Sequence, residues 1–131
     1  MKIAVFGATG ATGKVFMTLA LDAGHELVAL VRDKSKLEHR EKEKDTGARL
    51  RAVVGDATDG SAVHAVIEGA DAVVSCLGHV PGGACPMMSI AYSHIVTAAA
   101  KQENPPRCVL LTTMGEAACL ALFRCMLNRG L

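Results

Sequence analysis

Lys2-Ile3-Ala4-Val5-Phe6-Gly7-Ala8-Thr9-Gly10-Ala11-Thr12-Gly13 is the stretch whose reading decides the fold. Ile3–Phe6 is a short apolar run bounded by glycine, the pattern of a strand buried on both faces of a parallel sheet. From Lys14 on, apolar residues at Val15, Phe16, Leu19 and Ala20, with Leu21 and Ala23 following, predict a helix that closes at Gly24. Between strand and helix lies Gly7–Gly13, rich in glycine and threonine. The start of a helix offers unpaired amides and the positive end of its dipole, so a pyrophosphate binds well there. Gly7 permits a tight turn, Gly10 lets the backbone approach the phosphates, and Gly13 lets the helix pack close to the strand. Thr9, Ala11 and Thr12 belong to the same binding loop. The spacing is G-x-x-G-x-x-G, and it does not suit a nucleoside triphosphate. Gly13-Lys14 is followed by Val15, where that loop needs Ser or Thr to hold magnesium.

Outward from this loop the pattern alternates. Strands are expected at Leu27–Val31, Leu50–Val54, Ala72–Leu77 and Cys108–Thr112. Helices are expected at Ser61–Glu68, closed by Gly69, then at Met87–Lys101 and Gly115–Leu127. Arg32–Asp45, dense in charge of both signs, reads as a solvated loop and a polar helix. Val80–Pro86 is a Gly/Pro loop, and Pro105-Pro106 stops any further helix. The β-α alternation predicts an α/β fold of one domain over residues 1–131. Its sheet would be doubly wound, parallel, of about five strands in the order 3-2-1-4-5, with helices on both faces.

Composition narrows the function. With 14 Lys and Arg against 13 Asp and Glu, the net charge of +1 leaves no electrostatic footprint for nucleic acid or an anionic membrane. Aromatic residues are 3% of the chain, too few for a base-stacking surface. No apolar run reaches the roughly 18–20 residues of a membrane span, and no signal peptide is evident. The five cysteines, Cys76, Cys85, Cys108, Cys119 and Cys125, form no C-x-x-C pair. They read as reduced thiols of a cytoplasmic protein, with Cys76 an inert core thiol, and no metal site is expected.

Further site residues follow from where ligands bind in such sheets, at the carboxyl ends of the strands. Arg32 ends the second strand, where the residue that reads the adenosine ribose stands. A guanidinium there grips a 2′-phosphate, so NADP(H) is favoured over NAD(H). Lys34, Ser35 and Lys36 follow closely, and Asp33 intervenes. Lys36 is a further phosphate candidate; simple solvation is the competing reading for both lysines. In Gly55-Asp56-Ala57 the Asp56 carboxylate is suited to accept from the adenine amino group, or else to serve as a turn or N-cap residue among Asp59 and Ser61. Leu77-Gly78 would lay backbone against a ribose.

These segments, with Leu30-Val31-Arg32-Asp33, Val73–Gly78 and Val109–Thr113, resemble the atypical branch of the short-chain dehydrogenase/reductase superfamily. The nearest likeness is to the flavin reductase/biliverdin reductase group and the NmrA-like NAD(P)-binding proteins. The resemblance implies a Rossmann fold, NADPH binding and reduction of flavins, tetrapyrroles or related small-molecule acceptors. Three departures stand beside it. The superfamily's Tyr-x-x-x-Lys is absent: Tyr92, the one tyrosine, precedes Ser93 and Val96 and reads as a helix residue packed near the core. The Ser often found at the end of the fifth strand is Thr113, beside Thr112. The chain also stops before the C-terminal substrate segment of this branch, so a truncated product is expected. Thr112 is thus a candidate on the cofactor, and Thr113 and His79 are the catalytic candidates. Three readings stay open: a reductase, a non-catalytic NADP(H)-binding sensor or interaction module, and an inactive truncated chain. The oligomeric state is left open by the sequence.

Overall fold

The computed structural model describes residues 1–37, 49–78 and 86–111. Among these residues five strands form one parallel sheet: β1 (Lys2–Phe6), β2 (Glu26–Val31), β3 (Leu50–Val54), β4 (Ala72–Ser75) and β5 (Arg107–Leu110). Their order is β3-β2-β1-β4-β5, as the alternation predicts. The chain leaves β1 toward one edge of the sheet, then crosses back to place β4 on the other side of β1. The register runs Ile3 against Leu27 on one side and against Ala72 on the other.

Among the described residues three α-helices cover the sheet: α1 (Ala11–Asp22), α2 (Gly60–Ile67) and α3 (Pro86–Ala100). Successive residues of β1 point to opposite faces, and the core divides accordingly. Ala4 and Phe6 pack with Val63, Val66 and Ile67 of α2 and with Tyr92 and Ile95 of α3. Ile3 and Val5 pack with Met17, Ala20 and Leu21 of α1 on the other face. Each aliphatic side chain so buried contributes roughly 1.5–3 kcal/mol, which makes both apolar faces of β1 a strong constraint on topology. Among the described residues no helix is long and apolar enough to cross a membrane.

The local boundaries differ instructively from the expected ones. Helix α1 begins at Ala11 rather than Lys14, because Gly10 caps it through backbone alone. That start turns Met17 inward, while Val15 and Leu19 face solvent at 60% and 64% exposure. Strand β4 ends at Ser75, short of Leu77; the Cys76 amide still donates to the Phe6 carbonyl at 2.8 Å. Cys76 is partly buried, and burial raises its thiol pKa, as it does that of Cys108. Gly24 and Gly69 close α1 and α2 with φ of 82° and 65°, as glycine readily can. Lys34–Lys36 forms a short 3-10 turn; the rest of the expected polar helix, Cys85 and the Gly/Pro loop from Val80, and the final helix Gly115–Leu127 lie outside the described residues.

Candidate functional site

The binding loop is shaped by its contacts. Gly7 has φ 75°, and a Cβ there would stand 2.7 Å from the Cys76 carbonyl group and 2.8 Å from the Leu77 amide nitrogen. Gly13 is buried, and a Cβ on it would collide with the Gly7 carbonyl. Glycine at both positions is therefore required by the fold itself. Gly10 is different. Its backbone is extended (φ −72°, ψ 168°), and a Cβ would meet only the Gly7 carbonyl, at the ordinary contact distance of 3.4 Å. Gly78 likewise has nothing within 4 Å of its Cβ position. Neither the backbone nor the packing of the described residues accounts for glycine at 10 or 78.

The loop is pinned by the Gly10 amide donating to the Gly7 carbonyl at 3.1 Å and the Lys14 amide to the Gly10 carbonyl at 2.9 Å. The amides of Ala11, Thr12 and Gly13 open the first turn of α1, where no intrahelical acceptor exists. Gly10 has no side chain to cap them, and no acidic residue stands in that turn. The helix start thus keeps its positive end for an anion.

Beside the loop an open crevice of about 340 Å³ runs along the carboxyl ends of the strands. Gly7, Thr9, Arg32, Asp56, Ala57, Leu77 and Gly78 all line it, so residues far apart in sequence meet in one place. Lys36 does not line it and stands exposed on the 3-10 turn. Ala11, Thr12 and Gly13 flank it as the helix start. His79, Thr112 and Thr113 lie outside the described residues. The crevice also has walls that the sequence reading missed: Thr58 after β3, and Met87, Met88 and Ala91 from α3. Helical spacing puts Met88 and Ala91 on one face of α3, which was a usable signal; what that face meets was not legible. The polar side chains Thr9, Arg32, Asp56 and Thr58 gather beyond β1, β2 and β3, while the side toward β4 and α3 is apolar.

Two carboxylates at this rim are already engaged. Asp33 Oδ1 accepts from the Ser35 hydroxyl at 2.7 Å and the Ser35 amide at 3.0 Å, and these bonds hold its pKa below the ordinary carboxylate value. Asp56 Oδ1 accepts from the Thr58 hydroxyl at 2.7 Å and the Thr58 amide at 2.9 Å. The Thr58 bonds lower the Asp56 pKa, and the Arg32 charge adds to them. Asp56 is therefore a turn residue as well as a crevice residue; the cap of α2 is Asp59, whose carboxylate accepts from the Ser61 amide at 2.9 Å.

A family model described as NAD(P)H-binding matches residues 7–120. Among solved structures, a protein from Lactobacillus casei is 29% identical over 84% of this chain and 47% of its own, with a TM-score of 0.66. Uronate dehydrogenase from Agrobacterium tumefaciens, solved as a Y136A mutant complexed with NAD, is 21% identical. The match covers 86% of this chain and 40% of that one, with a TM-score of 0.66. A short-chain dehydrogenase from Streptomyces avermitilis is 19% identical over 92% of this chain and 54% of its own, with a TM-score of 0.69. The two dehydrogenases establish likeness of fold. The chain spans between 40% and 54% of the length of these three.

Proposed function

The chain belongs to the NAD(P)H-binding family, and from that premise we propose that it binds NADP(H) and serves as a reductase of flavin-like, tetrapyrrole or related small-molecule acceptors. The observation that carries the reading is the crevice and its loop: Gly10 in the loop and Gly78 beyond β4 have no packing reason to be glycine, and an exposed arginine stands at the end of β2.

In this reading the first-turn amides of Ala11, Thr12 and Gly13 hold the pyrophosphate. Arg32 pairs with the 2′-phosphate, and the engagement of Asp33 with Ser35 supports NADP(H) over NAD(H). Asp56 accepts from the adenine amino group with the oxygen that Thr58 leaves open, and Ala57 lies beside it. Leu77 and Gly78 lay backbone along the nicotinamide ribose. NADPH, when bound, supplies a hydride. The apolar lining toward β4 and α3 supports a flat, weakly polar acceptor. A flavin needs little acid catalysis from the protein, since its ring nitrogens exchange protons with water. That fits a chain without the Tyr-x-x-x-Lys pair. Thr112 as a cofactor residue, and Thr113 and His79 as catalytic residues, belong to the same proposal and lie outside the described residues.

The same clustering of polar groups at the adenosine end also favours a second reading, a binding module that senses NADP(H) without turnover. Titration of the purified chain with NADPH and NADH, followed by NADPH oxidation with flavin or quinone acceptors, tests both. NADPH-selective binding with turnover is expected. Binding without turnover at saturating cofactor would favour the sensor, and absence of binding would overturn both readings.

A further inference from the structure

Tyr92 stands within α3, 2% exposed, and is the one tyrosine of the sequence. Its hydroxyl is within donating distance of two backbone carbonyls, that of Leu111 at 2.9 Å and that of Leu77 at 3.3 Å. Both carbonyls lie just beyond paired strands, since β4 ends at Ser75 and β5 at Leu110. Strand-to-strand bonding continues as far as the Leu111 amide, which donates to the Ser75 carbonyl at 2.9 Å. The Leu77 amide turns aside to the Ser75 hydroxyl at 3.4 Å. Where the ladder gives out, the phenol takes over and ties the two strand ends together.

Tyr92 does not itself line the crevice, but Leu77 and Gly78 do. Leu77 packs against the core, while nothing stands within 4 Å of the Gly78 Cβ position. We propose that Tyr92 is a positioning residue: by holding the Leu77 carbonyl it sets the Leu77–Gly78 wall against the nicotinamide half of the dinucleotide. The inference rests on the cofactor reading above.

The test compares NADPH with 2′-phospho-AMP, which carries the adenosine end alone, on the unaltered chain and on Tyr92→Phe. The expected result is a loss of about tenfold in NADPH affinity, the scale of one lost hydrogen bond, with 2′-phospho-AMP affinity unchanged. Equal losses for the two ligands, or no loss for either, would overturn the proposal while leaving the cofactor reading intact. An unaltered chain that binds neither ligand would overturn both. A second measurement does not depend on the variant folding. Because Tyr92 is the one tyrosine, a chain grown with fluorotyrosine gives a single fluorine NMR resonance from this site. NADPH is expected to shift that resonance and 2′-phospho-AMP to leave it in place; equal shifts or none would overturn the proposal.

Discussion

Gly10 and Gly13 sit in one loop and answer to different constraints. A side chain at Gly13 collides with the Gly7 carbonyl, whereas one at Gly10 has room. Gly13→Ala is therefore expected to destabilise the chain by about 1–3 kcal/mol, the usual scale for overpacking, and to show it in urea unfolding. Gly10→Ala is expected to unfold within about 0.5 kcal/mol of the parent yet to bind NADPH at least about tenfold more weakly, since the methyl group occupies the space of a phosphate. If Gly10→Ala retains full affinity, the loop is not the phosphate site. The sequence pattern made all three loop glycines legible but could not separate their reasons, because the contact that rules on Gly7 comes from Cys76 and Leu77. Arg32 is the other decisive residue. Loss of a charge-assisted pair predicts that Arg32→Ala weakens NADPH by roughly 10–100-fold and NADH hardly at all. Equal losses would refute the 2′-phosphate assignment.

At the scale of elements, the segment from Asp56 to Ser61 shows how neighbouring acidic residues divide their work. The sequence places Asp56, Asp59 and Ser61 together and leaves open which one caps. Asp59 caps α2, while Asp56 closes the turn before it through Thr58. The choice depends on backbone path, which composition does not encode. The Asp56 pKa is depressed in the folded chain, chiefly by the Thr58 amide and hydroxyl. Its contribution to stability is therefore fully present above the ordinary carboxylate value of about 3.9 and is lost as pH falls through the depressed value. Asp56→Asn keeps an acceptor for Thr58 but does not titrate. Its urea midpoint is expected to fall less than that of the parent between neutral pH and about pH 3. Parallel acid limbs would show that Asp56 contributes nothing through its charge. The start of α1 was misread for a related reason: Gly10 caps without a side chain, so the residues leave no signature.

At the scale of the whole molecule, the strand order was legible because alternating strands and helices leave few right-handed ways to build a parallel sheet. The crevice was legible in its glycines and in Arg32, which follow from the carboxyl-end rule. It was not legible in Met87, Met88 or Tyr92, whose roles depend on where α3 crosses the strand ends. Tyr92 was readable as a buried helix residue, but its bonds to Leu77 and Leu111 span separations of 15 and 19 residues. Because the proposed ligand touches segments that follow all five strands, its binding is expected to stabilise the fold as a unit. At a hundredfold excess over Kd, NADPH should add about 2.7 kcal/mol, raising Tm by about 10 °C for a chain of this length. A negligible shift, checked by calorimetry, would mean that the dinucleotide does not bridge the sheet. The backbone that Gly7 must avoid lies at Cys76 and Leu77, which follow α1, β2, β3, α2 and β4 along the chain. Translation adds about 5–20 residues per second, so several seconds separate the making of Gly7 from the arrival of the strand it presses against. A nascent chain thus carries the Gly7 loop well before it can give it its final shape, which waits for the segment that holds Cys76 and Leu77.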